Sequence, residues 1–249
     1  MSASSLPTAA LAIERSSNVY WLRRDRGELW FETRGFELVD AGWSRLASDA
    51  AWIASAGDAI AVLGADEVTA FTAVGARPLF AAPGLGALLA DALAAVVDPV
   101  RGVVYVATPG AIVALAGGAV TSIAPRTARA LALSTDRRRL YAATDTAIDC
   151  VTLDDGAVDE VAALPAHTHV GALASSPMGV AATAIVPSGP VLLGISPRFG
   201  SCTLLGALPA ELASAPLVAD HTGALTLAGP DRLYRCAFDG SELAVCFAP

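Results

Sequence analysis

Short apolar runs, each following a polar turn, recur along the whole chain. Six of them begin at Val19 (VYWLR), Ile60 (IAVLG), Val104 (VYVAT), Leu140 (LYAAT), Val180 (VAATAI) and Ala224 (ALTLA). Their starts are spaced by about 41 residues on average, a period that in repeat proteins fits one unit of four strands. The runs are mostly five to seven residues long, β-branched where they are longest, and cut by Gly, Pro or Asp. That pattern predicts strands, because a surface helix would need a longer stretch with a 3.6-residue period.

Each run has the same kind of neighbours. Upstream lies another strand-like stretch ending in a polar turn: ALAIE before Ser16, LAAVV before Asp98, ALALS before Thr135, GALAS before Ser176 and APLVA before Asp220. Downstream come two further short stretches, as in AIDCVTL and VDEVAAL around Asp155-Gly156, and RLYRCAF and ELAVCFA around Asp239-Gly240. Asp-Gly between alternating runs is a strong hairpin signal, since a two-residue turn needs positive φ at both central positions. Four strands per unit follow, with Cys236 paired to Leu243 and Cys246 opposite Leu233 in the last hairpin.

One four-stranded unit cannot bury both faces of its sheet, so six units are expected to pack radially. The predicted fold is all-β, a six-bladed β-propeller of four-stranded antiparallel blades over residues 9–249, preceded by a short tail over residues 1–8. The first unit opens on an inner strand near Ala10 and the last closes on an outer strand at Glu242 to Ala248, which leaves no strand to exchange between the chain ends. Where VYVAT and LYAAT recur, above all in residues 93–165, the sequence resembles the bacterial YVTN-type propeller repeats; the resemblance implies a fold, and propellers host enzymes, binders and scaffolds alike. WD40 propellers match less well, because no Gly-His pair or Trp-Asp dipeptide stands at the repeat positions. The competing reading is an Ala-rich α/β protein, since stretches such as GALLADALAAVV favour helices. Residues 87–95 are the one place where a short helix is expected.

Composition narrows the functional classes. Apolar residues make up 54% of the 249 and no window approaches 18 uninterrupted apolar positions, so the hydropathy reads as a buried core and not as membrane spans. No basic leader precedes an apolar segment at the N-terminus, which points to the cytoplasm. All 16 basic residues are Arg, the chain has no Lys, and 24 acids bring the net charge to -8. A phosphate-tracking surface needs clustered positive charge, so nucleic acid is not an expected partner. The absence of Lys matches the Arg-preferring, Ala-rich bias of a GC-rich bacterial genome. Cys150, Cys202, Cys236 and Cys246 have no CxxC spacing, so neither a zinc site nor a redox pair is indicated and no cofactor is expected.

The loops joining strand 2 to strand 3, and strand 4 to the next blade, are where propeller ligands usually sit. That face is expected to receive Arg23, Arg24, Asp25, Arg26 and Glu28 from the first unit, Asp40 and Trp43 after it, then Asp66, Glu67, Arg126, Arg129, Asp145, His167 and His169, and finally Asp231 and Arg232. Trp21, Trp30, Trp43 and Trp52 all fall in the first 52 residues, beside the RRDR cluster. Trp and Arg together supply the contact area and planar hydrogen bonding of interface hot spots; alternatively these rings fill gaps between outer strands. Arg23, Arg24, Arg26, Trp43, His167 and His169 are accordingly the expected partner-binding residues. His167 and His169, two apart on an extended segment, would project to one side, but no further ligand is fixed by spacing. No GxSxG motif occurs. The expected function is a non-enzymatic protein-interaction subunit or scaffold. The alternatives are a small-molecule or carbohydrate binder using Trp43 and the acids of that face, or a metal-dependent propeller hydrolase.

Overall fold

The structure is a computed structural model that describes residues 7, 9–15, 18–33, 42–72 and 75–249. It contains six four-stranded antiparallel sheets, a six-bladed β-propeller. Blade 1 is β1 to β4 (Ala9–Ile13, Val19–Arg23, Glu28–Thr33, Gly42–Ala47) and blade 2 is β5 to β8 (Trp52–Ser55, Ile60–Leu63, Glu67–Thr72, Gly75–Ala81). Blade 3 is β9 to β12 (Ala94–Asp98, Val103–Ala107, Ile112–Ala116, Ala119–Ala124) and blade 4 is β13 to β16 (Ala130–Leu133, Arg139–Ala143, Ala147–Thr152, Val158–Ala163). Blade 5 is β17 to β20 (His169–Ser176, Gly179–Val186, Gly189–Ser196, Ser201–Ala207) and blade 6 is β21 to β24 (Leu217–Ala219, Leu225–Ala228, Leu233–Cys236, Ala244–Phe247). Every repeated run is the second strand of its blade. Each sheet consists of four strands consecutive in sequence, so among the described residues none is completed by a strand from the other end of the chain.

The chain forms two compact units, residues 1–106 with 114–121, and residues 107–113 with 122–249. Alternation along the strands fixes the packing inside each. In the first unit, Tyr20, Leu22, Leu29 and Phe31 lie on one face of blade 1 and pack with Ile53 and Ile60 of blade 2. The rings of Tyr20 and Phe31 stack at 5.9 Å, and Phe71 meets both edge-on. In the second unit, Tyr141, Ile148 and Cys150 of blade 4 pack against Leu173, Val180, Leu193 and Ile195 of blade 5. The opposite face of blade 5 presents Ala174, Ala181 and Leu192 to Leu217, Leu225 and Leu227 of blade 6.

Turn geometry departs from the sequence expectation. Gly156 and Gly240 have φ of 72° and 79°, but neither preceding Asp is left-handed. Instead the Asp155 carboxylate accepts the Ala157 N–H at 2.9 Å, and Asp239 accepts the Ser241 N–H at 2.9 Å. The Asp acts as a turn acceptor within a longer loop; of each Asp-Gly pair only the Gly has positive φ, and in the last hairpin Glu242 adds a second left-handed residue at φ 60°. In the last hairpin Tyr234 and Arg235 pair with Val245 and Ala244, in step with the expected register. A bulge then moves Leu233 opposite Phe247, in place of the expected pairing with Cys246. All four cysteines are free thiols, with Cys150 and Cys236 buried and Cys246 exposed.

The expected helix forms as α1 (Leu85–Ala90), shorter and earlier than residues 87–95. Its Gly86 N–H donates to the Ala65 carbonyl at 2.6 Å, and a Cβ on Gly86 would stand 3.0 Å from the Ala65 Cα. This close approach fixes α1 on the turn between β6 and β7. The remainder of the Ala-rich stretch becomes β9, whose two valines suit a pleated surface. No helix among the described residues is long and apolar enough to cross a membrane.

Candidate functional site

In blade 1 the face opposite the Tyr20–Phe31 core carries Trp21 and Arg23 from β2, Glu28 and Trp30 from β3, and Arg45 from β4. The register places Trp21 opposite Trp30, Arg23 opposite Glu28, and Trp30 opposite Arg45. Glu28 is the hub. Its Oε2 accepts the Trp30 indole N–H at 3.0 Å and its Oε1 accepts an Arg45 guanidinium N–H at 3.0 Å; the Arg23 guanidinium stands 4.0 Å away. The Trp30 hydrogen bond above all, helped by Arg45 and Arg23, holds the Glu28 carboxyl below its usual range against the opposing effect of desolvation. Arg23 lies over the Trp21 ring at 4.9 Å and Arg45 over the Trp30 ring at 5.9 Å, the cation–π arrangement that favours Arg on indole.

The β2–β3 loop closes through Arg26 and Gly27 N–H bonds to the Arg23 and Arg24 carbonyls, with Gly27 at φ 62°. Arg26 is exposed at its tip, and Arg24 is half-buried and donates to the Pro7 carbonyl at 3.2 Å. Arg23, expected on the loop surface, is instead the last residue of β2 and only 3% exposed. Trp43 belongs to β4 opposite Glu32 and not to a loop, whereas Asp40 lies outside the described residues. Trp21 is fully buried, with its indole N–H unpartnered. Trp52 donates to the Ala95 carbonyl at 3.0 Å, tying blade 2 to blade 3. Trp21 and Trp52 are therefore packing residues, whereas Trp30 joins the Glu28 network.

In the second unit, the connection into β13 and the β14–β15 turn bring Arg126, Arg129 and Asp145 to one end of blade 4, as their loop positions predict. Arg129 Nε lies 2.5 Å from Asp145 Oδ1, and that hydrogen bond, with the Arg129 charge and a smaller contribution from His169, holds the Asp145 carboxyl below its usual range. Arg126 reaches Asp149 Oδ2 at 2.6 Å. Asp149 is an acid inside the apolar run AIDCVTL; it is 1% exposed and its Oδ1 is unpartnered. An isolated acid in a strand-like run was the sequence signal for it. His167 and His169 are both exposed. His167 has φ 61°, so the alternation of an extended segment does not reach it, and only His169 begins a strand.

A third feature is an open groove of about 330 Å³ on blade 5 beside the connection that enters it from blade 4, lined by Pro165, Val186, Pro187, Ser188, Leu193, Cys202 and Leu204. Its lining carries no charge. Among the described residues no three His, Cys, Asp or Glu side chains converge as metal ligands. Burial pushes the Cys150 and Cys202 thiols up and takes Cys236 to about 11, so none of the three is a ready thiolate at neutral pH. What the described surface offers is an Arg–Trp–Glu network, a pair of Arg–Asp contacts and an apolar groove.

No protein-family model matches the sequence, and no curated protein matches it. Among solved structures, a streptogramin B lyase superposes with a TM-score of 0.59 at 12% identity, covering 98% of this chain and 83% of that one. A chain of the mitotic checkpoint complex gives 0.58 at 15% identity over 92% and 88%. A Bacteroides thetaiotaomicron structural-genomics protein of unknown function gives 0.50 at 14% identity; 59% of this chain is aligned, spanning 42% of that protein's length. Likeness at this level of identity extends to the fold and no further, and the neighbours that share the β-propeller architecture have divergent roles.

Proposed function

We propose that this chain is a non-enzymatic propeller, one domain over residues 9–249, acting as a protein-interaction subunit of a bacterial cytoplasmic complex. Its contact patch is the blade 1 rim, with Arg24 and Arg26 on the loop and Trp43 on β4, together with Arg23 behind them. The observation that carries the reading is the Glu28 hub, which holds the exposed Arg45 guanidinium over Trp30. An Arg fixed in advance loses less side-chain freedom on binding, and Arg and Trp are the residues over-represented at hot spots. Participation of His167 and His169, and kinship with the YVTN-type repeats, belong to the same proposal. A neighbour found within a multiprotein complex is consistent with it. The small-molecule alternative has one observation in its favour, the unpartnered buried oxygen of Asp149, which a ligand donor could meet.

Purification of the full chain from its native host tests the proposal. A stoichiometric protein is expected to co-purify. An Arg26→Glu, Arg45→Glu variant should keep its far-UV spectrum and lose that protein, each hot-spot change costing about 2 kcal/mol or more. Unchanged recovery overturns the patch, and a bound small molecule without a protein favours the alternative.

A further inference from the structure

The turn that opens the third strand is closed by the same main-chain bond in four blades, between Gly64 and Glu67, Thr108 and Ala111, Thr144 and Ala147, and Gly229 and Arg232. Two residues past that turn stand Thr69 in β7, Val113 in β11, Asp149 in β15 and Tyr234 in β23. The strand therefore forms without an acid at this position, and of these four blades only blade 4 has one. Ile148 and Cys150 belong to the core shared with blade 5, so Asp149 between them lies on the opposite face of the sheet, where it is 1% exposed. Burying a carboxylate is costly unless its oxygens are paired. Oδ2 accepts an Arg126 guanidinium N–H at 2.6 Å, whereas Oδ1 is buried without a partner.

Arg126 is fixed through its backbone: its N–H donates to the Ala124 carbonyl at 2.9 Å, and the neighbouring Thr127 hydroxyl donates to the Pro109 carbonyl. Its side chain is 51% exposed, so the Asp149 carboxylate lies directly beneath a solvent-facing guanidinium. Across the sheet Asp149 pairs with Glu160 of β16, an exposed acid that cross-strand pairing puts on the same face. Two carboxylates and one guanidinium leave one negative charge in excess, so the partner that Oδ1 lacks is a donor and a cation. A metal ion is a poor fit, because a guanidinium already occupies Oδ2 and no three His, Cys, Asp or Glu side chains converge among the described residues. An ammonium fits, since it carries three donors on a compact charge. We propose that Asp149, with Arg126 beside it and Glu160 at the rim, is a binding site for a primary ammonium group. This site deepens the small-molecule reading that Asp149 supports, and it is independent of the blade 1 patch.

The test uses the full-length protein labelled with carbon-13 at its aspartate carboxyls, the Asp149 signal being assigned through its backbone resonances. At constant ionic strength the protein is titrated with methylammonium, with tetramethylammonium, which has the same charge and no N–H donor, and with Nα-acetyl-lysine amide, which stands for a lysine of a partner protein. Methylammonium should shift the Asp149 carboxyl signal saturably and tetramethylammonium should not. Glu160→Gln, a change at an exposed side chain that keeps the fold, should weaken methylammonium binding about two- to fivefold. Methylammonium binding at least as tightly as the lysine amide assigns the site to free amines, whereas tighter binding of the lysine amide assigns it to a side chain of a partner. Absent saturation, which means that a water molecule only completes Asp149, overturns the proposal. So does an equal response to the two ammonium ions, or an affinity indifferent to Glu160→Gln. None of these readouts involves Arg26 or Arg45, so failure here is distinct from failure of the blade 1 patch.

Discussion

Gly171 stands where a side chain has no room: a Cβ there would lie 2.2 Å from the Ser214 Cα and 2.9 Å from the Ser214 carbonyl carbon. Both obstacles are backbone, and Ser214 is itself held at φ 60°, next to Ala215, whose carbonyl accepts the buried Thr183 hydroxyl at 2.9 Å. Neither side can yield cheaply. Gly171→Ala is therefore expected to cost roughly 2–3 kcal/mol, measured as a lower urea midpoint at unchanged slope. Gly206→Ala, in the same sheet with open space around it, should shift the midpoint by a few tenths at most. The sequence shows Gly171 only as the first letter of GALAS; the need for glycine comes from the connection that crosses it, about 40 residues later in the chain. Arg23 was misplaced for a related reason. A residue preceding a polar loop reads as part of that loop, but its partner Glu28 and the Trp21 ring draw it into the sheet.

The β-turns between second and third strands show what a repeated element preserves when its sequence drifts. In blades 2, 3, 4 and 6 the N–H of the first turn residue donates to the carbonyl of the fourth: Gly64 to Glu67, Thr108 to Ala111, Thr144 to Ala147 and Gly229 to Arg232, at 2.9–3.0 Å. In the two Thr cases the hydroxyl also accepts the N–H of the fourth residue, Ala111 at 3.3 Å and Ala147 at 3.1 Å. This bond is the physical content of the recurring Thr in VYVAT and LYAAT, and it explains why residues 93–165 show the repeat most clearly. Thr144→Ala should destabilise by about 1 kcal/mol, with Thr144→Ser recovering most of the loss; thermal unfolding of the two variants against the parent checks both. Period and strand type were legible because alternation and turn residues are local. The bulges, the Asp-Gly loop geometry and the exact span of α1 were not, since each is settled by a neighbouring strand or turn.

At the scale of the whole molecule, the candidate site was legible in kind but only partly in place. Arg129 and Asp145 were expected on one face and do meet, and Glu28 was expected there too, but its bonds to Trp30 and Arg45, and the Arg126 contact with Asp149, depend on cross-strand register, which the sequence alone does not show. Pro7 offers a carbonyl to Arg24 through one exposed bond, and no described sheet draws a strand from residues ahead of Ala9. Deleting residues 1–7 is therefore expected to lower the melting temperature only slightly in calorimetry; a collapse of stability would mean that these residues complete a sheet. Sheets made only of consecutive strands have a further consequence during synthesis. Every hairpin of a blade closes between neighbours in sequence, so loop-closure entropy stays low. A growing chain can complete the blade 1 sheet once Ala47 has cleared the ribosome, without waiting for the last blade, and blade 2 then finds a finished apolar face on which to condense. Aggregation-prone Val- and Leu-rich strands are thereby exposed one blade at a time.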